Sequence, residues 1–153
     1  RAFTYRFVQW QAGRLGVPLT FPPTHPFNPL PALRLAVALN ARDEVVDAIF
    51  RELWQFGFAL DSAAALAPLA QRFGIDDVAA VIGASPVKDR LRQNTETAIA
   101  NRVFGVPTLR IDEQVFWGND ATAMAEDWLD DPARFETPEW RRLEDLPASV
   151  SRG

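Results

Sequence analysis

The sequence predicts an α/β chain in which helices occupy residues 1–100 and a strand, strand, helix unit follows. Three observations lead there. Apolar residues recur at helical spacing, separated by short polar breaks, throughout the first part of the chain. At Thr108-Leu109-Arg110-Ile111 the pattern alternates instead, turns at Asp112-Glu113-Gln114, and continues into the aromatic and β-branched Val115-Phe116-Trp117. Apolar residues make up 48% of the chain and charged residues 24%, enough for a substantial buried core.

Residues 1–15 place Phe3, Phe7, Val8, Trp10 and Leu15 roughly on one helical face. Gly16 and Pro18 end that helix, because glycine frees the C-terminal turn and proline cannot continue it. Residues 17–31 hold Pro18, Pro22, Pro23, Pro26, Pro29 and Pro31, which predicts an ordered extended loop with Phe21 and Phe27 to bury. A helix is expected from about Pro31 to Ala41, proline being tolerated in a first turn. Asp43 then caps a helix ending near Gly57, with Val46, Ile49, Phe50, Leu53 and Trp54 as its buried stripe. Trp10 is expected to pack between helices in the same way.

Asp61-Ser62 caps a helix to about Phe73, stopped by Gly74. A short helix from Asp76 to Ile82 and a long one from Pro86 to Phe104 lead to the hairpin. A last helix runs from about Asn119 to Leu129. The expected division is therefore a helical domain over residues 1–85, a hairpin-bearing domain over 86–130, and a tail over 131–153.

A two-stranded hairpin is only marginally stable by itself. Leu109, Ile111, Val115, Phe116 and Trp117 thus need neighbours, and two arrangements supply them. Either a strand-helix-strand segment on the N-terminal side belongs beside the hairpin and is missing from this chain, or helices alone cover it. An opening residue other than methionine permits the first arrangement.

Several function classes are disfavoured. The chain has no cysteine, so disulfides, thiolate catalysis and cysteine metal sites cannot come from these residues. His25 is the single histidine, in a proline-rich setting, and reads as a structural or solvated residue, since one imidazole does not make a zinc site. The net charge is −4 with both signs interspersed, and no basic patch asks for nucleic acid or an anionic membrane. No apolar run is long enough for a transmembrane helix, and Arg1-Ala2-Phe3-Thr4-Tyr5 opens no secretory signal. A cytoplasmic location is expected.

The residues between the long helix and the last one carry the chemistry. Val106-Pro107 reads as a loop entering a strand, with a trans proline that merely lacks an N–H, or as a cis proline that turns the Val106 backbone toward a ligand. Cis bonds are about 5–6% of X–Pro bonds, so the dipeptide alone favours trans. Asn119 and Asp120 stand where a helix starts, a position for a cap of about 1 kcal/mol or for a ligand contact. Gly118 permits a tight approach or a positive φ, while Trp117 is divided between core packing and ligand contact. Arg34 or Asn28, beside the proline-rich loop, is a weaker candidate for meeting a carboxylated substrate.

The run Phe104-Gly105-Val106-Pro107-Thr108, a hairpin, and Phe116-Trp117-Gly118-Asn119-Asp120 before a helix resembles the C-terminal half of one branch of the thioredoxin superfamily. That branch holds the DsbA-like oxidoreductases, the kappa-class glutathione transferases and 2-hydroxychromene-2-carboxylate isomerase. Trp117-Gly118-Asn119-Asp120 is most similar to the isomerase form, as is the segment Gln11-Ala12 through Gly16-Val17-Pro18-Leu19. The resemblance spans roughly residues 5–130, with residues 103–120 the specific part. It implies a thioredoxin-like core with an inserted all-helical domain, the core's N-terminal strand-helix-strand lying outside this chain.

The resemblance also implies a site. Val106, before a cis Pro107, would present its backbone N–H and C=O to the cysteinyl unit of glutathione. Asp120, with Asn119 beside it, would meet the γ-glutamyl ammonium, and free helical N–H groups its carboxylate. Trp117 and Gly118 would border that cofactor. The serine that faces the glutathione sulfur in the isomerase and kappa enzymes has no counterpart here, since Ser62 and Ser85 read as caps or turns. The implied activity is a glutathione-dependent isomerisation in aromatic catabolism, by thiol addition, ring opening and thiol expulsion, on a small aromatic carboxylate. Relatives are commonly dimers, which extends the expectation of a homodimer here. Two alternatives stay open: a DsbA-like thiol-disulfide oxidoreductase, and a non-catalytic thioredoxin-fold binding protein.

Overall fold

In a computed structural model of the protein, residues 1–147 are described. The chain forms two compact units, Arg1–Thr95 and Glu96–Gly153. The division falls inside a helix, ten residues beyond the boundary expected after residue 85.

The first unit is helical. Helix α1 (Ala2–Leu15) ends as glycine chemistry requires: Gly16 takes φ 67°, and the Val17 N–H reaches back to the Ala12 carbonyl at 2.9 Å. The proline-rich loop leads to α2 (Leu30–Ala38), which stops earlier than expected because Asn40 and Ala41 are left-handed. Helix α3 (Asp43–Phe50) continues as a π-helical turn, Arg51–Gln55, closed by the Phe56 N–H on the Arg51 carbonyl. Helix α4 (Ala63–Arg72) and α5 (Val78–Gly83) are capped by the Ser62 hydroxyl and the Asp77 carboxylate, which accept from the Ala65 and Ala80 N–H groups.

The core of this unit gathers Leu35 from α2, Val45, Ala48 and Ile49 from α3, Leu53, Leu60, Leu66 and Leu69 from the following segments, and Val78 and Ile82 from α5. The α3 stripe differs from the expected one. Val45 and Ala48 are buried, whereas Phe50 is 59% exposed. Bulky residues drew the sequence reading to Phe50, but small Ala48 sits on the same face as Ile49, and Phe50 lies about 100° further round. Trp54 is half-buried against the core. Trp10 is not the helix-packing residue expected of it: it is 57% exposed, its ring tilted against Phe7 of its own helix and covered by the Arg14 guanidinium.

Helix α6 (Ser85–Ala100) ends before Phe104 because Arg102 turns left-handed and the Val103 N–H closes on the Ala98 carbonyl. Strands β1 (Thr108–Ile111) and β2 (Gln114–Trp117) form an antiparallel pair, the single sheet among the described residues, with Leu109 opposite Phe116 and Arg110 opposite Val115. Phe116, 4% exposed, packs on Trp128 of α7 (Thr122–Asp130).

The segment expected as a tail is partly structured. A 3₁₀ turn, Pro132–Phe135, and α8 (Pro138–Glu144) follow α7. Their rings extend a ladder from Trp128 through Phe135 to Trp140, with centroids 5.3 and 5.0 Å apart. Aromatic periodicity there was too short for the sequence to show as a helix. Within α8 the Arg142 guanidinium grips both Glu139 oxygens, which holds the Glu139 carboxyl below its ordinary range. The expected tail residues 148–153 lie outside the described residues. Among the described residues no helix is long and apolar enough to cross a membrane.

Candidate ligand site

The residues singled out between α6 and α7 all belong to the second unit. The loop after α6 delivers Gly105 under the Trp117 indole: a β-carbon at Gly105 would overlap the indole nitrogen, so any larger residue there requires the indole to move. Trp117 also lies on Phe104, ring centroids 5.5 Å apart, and is itself exposed. It is therefore a surface wall over the loop rather than a core residue. The Thr108 hydroxyl donates to the Gly105 carbonyl at 2.6 Å and fixes the loop where it enters β1.

Val106 is 85% exposed, and the Val106–Pro107 bond is cis. Among the described residues its backbone N–H and C=O have no hydrogen-bond partner. The Pro107 carbonyl, by contrast, accepts from the Gly118 N–H at 2.9 Å, tying the end of β2 to the loop. Gly118 has φ 92°, and a β-carbon there would approach Asp120 Oδ1 to 2.6 Å. The Asp120 carboxylate is thus folded back over the Gly118 backbone.

Asn119 opens a 3₁₀ turn, Asn119–Ala121, that leads into α7. Neither that turn nor α7 has a side-chain cap. Among the described residues the Asn119 amide and the Asp120 carboxylate have no partner, nor do their N–H groups. The Asn119 carbonyl is used, accepting from the Thr122 hydroxyl at 2.8 Å. The arrangement offers an exposed strand-like peptide at Val106, an anionic carboxylate, and free N–H donors at a helical start.

The weaker candidates stand in the first unit. Asn28 uses its Oδ1 on the Leu30 N–H, a turn contact at the start of α2. Arg34, on α2, has a buried Nε without a partner. His25, read from the sequence as structural or solvated, has its Nδ1 2.8 Å from the Tyr5 hydroxyl within a group of aromatic rings. Among the described residues no cluster suits a metal ion.

The model of the DsbA-like thioredoxin domain matches residues 5–130, and the chain belongs to that family. Within it, the chain is similar to 2-hydroxychromene-2-carboxylate isomerases. That of Pseudomonas sp. strain C18 is 29% identical over 113 residues, 72% of this chain and 53% of the relative. That of Pseudomonas putida is 28% identical over 122 residues, covering 78% and 60%, and that of Sphingobium xenophagum 29% over 121, covering 77% and 62%. The chain thus spans little more than half of these relatives' length. A solved structure of 2-hydroxychromene-2-carboxylate isomerase shares the fold with a TM-score of 0.69 at 23% identity, over 96% of this chain and 70% of that one.

Proposed function

We infer that this chain supplies the glutathione-binding part of an isomerase of the 2-hydroxychromene-2-carboxylate type. The observation that carries the reading is the set of unpaired polar groups along one loop and turn: the Val106 peptide, the Asn119 and Asp120 N–H groups, and the Asp120 carboxylate. Their chemistry fits a tripeptide. An exposed peptide that pairs with nothing is an edge for an extended partner, and main-chain pairing there gives affinity without a polar side chain at residue 106. An α-amino acid end needs an anion for its ammonium and donors for its carboxylate, which Asp120 and the adjacent N–H groups supply.

Had Asp120 or Asn119 been a simple cap, its side chain would accept from an N–H of the following turn. Neither does. Val106, Pro107, Asn119 and Asp120 would hold the tripeptide, with Trp117 and Gly118 bordering it. Bound glutathione supplies a thiol able to add to a conjugated acceptor and to leave again. The residues of this chain bind and orient it; their backbone donors also favour an anionic form of what they hold. The similarity to isomerases named for 2-hydroxychromene-2-carboxylate points to a small aromatic carboxylate as the substrate and to aromatic degradation as the setting. A cytoplasmic homodimer is part of the same reading.

Isothermal titration with glutathione tests it. Saturable binding that weakens at least tenfold in Asp120→Asn is expected, since a hydrogen bond to a charged group contributes about 1.5–3 kcal/mol. No detectable binding to the folded protein would overturn the glutathione reading.

A further inference from the structure

A cavity of about 670 Å³ lies in the second unit, among β2, α7, the 3₁₀ turn Pro132–Phe135 and α8. Val106, Pro107, Asn119 and Asp120 do not line it, and half of its wall comes from residues that follow those matched to the family. Four rings run along the wall in order: Phe116, Trp128, Phe135 and Trp140, with successive centroids 6.2, 5.3 and 5.0 Å apart. Their planes are inclined by 57°, 50° and 57°, so the rings turn along the row rather than stack flat.

The charged side chains define the guest. Residues 132–143 carry five of them. Arg134 pairs with Asp127 at 2.9 Å, and Glu139 with Arg142 at 2.7 Å. The side chains of Glu136 and Arg141 have no partner among the described residues, and these are the two of the five that line the cavity. Their signs are opposite, yet they do not pair with each other. The wall therefore holds two separated charges beside aromatic rings. A guanidinium receives a carboxylate through its N–H fork. Ring faces and a nearby carboxylate attract a cation. An ammonium rich in N–H groups would need acceptors that rings do not supply, whereas a methylated one presents only C–H groups to them. The volume falls among those of small-molecule sites, roughly 300–1,000 Å³, and leaves room for a chain joining the two charges.

We propose that this cavity binds a small zwitterion in which a short aliphatic chain joins a quaternary ammonium to a carboxylate, the cation held by the rings and Glu136 and the carboxylate by Arg141. The assignment is independent of glutathione at Val106, and the two are tested by different probes.

The five tryptophans make the test internally controlled. In a ¹H–¹⁵N correlation spectrum of the full chain, titration with 4-trimethylammoniobutanoate should move the indole signals of Trp128 and Trp140 in a saturable way. Trp10, Trp54 and Trp117 do not line the cavity, and their signals should stay in place. The carbon isostere 5,5-dimethylhexanoate keeps the shape and the carboxylate but lacks the positive charge, and should bind at least about threefold more weakly. The unmethylated 4-aminobutanoate should be weaker by a similar factor. Arg141→Gln should weaken binding about tenfold, as loss of a charge-assisted hydrogen bond does, and Glu136→Gln about two- to fivefold. Unmoved Trp128 and Trp140 signals at tens of millimolar probe in the folded protein would overturn the assignment. So would an equal response to either analogue, or a uniform shift of all the indoles.

Discussion

At the scale of single residues, the site between β1 and α7 is defined by what its groups do not touch. Asp120 makes no cap, so Asp120→Asn should leave the thermal midpoint within about a degree while weakening glutathione binding, because a surface change without a lost contact costs less than about 0.5 kcal/mol. Calorimetric melting beside isothermal titration separates the two effects. Gly118 is constrained twice, by φ 92° and by the Asp120 oxygen lying over it. Gly118→Ala is therefore expected to destabilise by about 1–3 kcal/mol, read from urea unfolding, and to displace the Asp120 carboxylate as it does so.

At the scale of elements, caps differ in consequence. The Ser62 hydroxyl holds the Ala65 N–H, so Ser62→Ala should cost about 1 kcal/mol and loosen the first turn of α4, visible as faster amide exchange there. Ser62 was legible in the sequence because a serine before an apolar run has few other uses. The helices of residues 1–100, the hairpin and its turn were legible for the same kind of reason: their periods differ and their breaks carry glycine, proline or aspartate. The face of α3 was not, since alanine contributes little to a hydrophobic pattern yet Ala48 is buried and Phe50 is not. The 3₁₀ turn and α8 were missed because they are held by ring contacts from Trp128 to Trp140 rather than by a repeating apolar stripe. In the candidate site, the sequence indicated which residues cluster; it could not show that Trp117 stands exposed over Gly105, which depends on the path of the loop.

At the scale of the whole molecule, the first unit rests on a core in which Leu35, Val45 and Leu66 are wholly enclosed. Leu66→Ala should lower its unfolding free energy by about 2–5 kcal/mol, with raised amide exchange across α2, α4 and α5. A loss under about 1 kcal/mol would mean that the core collapses around the deletion. The second unit offers less to bury. Its sheet has two strands, and Phe116 is the buried ring on which α7 packs. Phe116→Ala is accordingly the substitution expected to disturb the hairpin most, by about 3–5 kcal/mol. The proposed glutathione groups stand where the chain enters β1 and leaves β2, side by side at the open end of that hairpin, so their spacing depends on its register.

The fit of Gly105 beneath Trp117 couples the two positions. Any side chain at 105 requires the indole at 117 to move or to be replaced, so substitutions at 105 and 117 are expected to be non-additive.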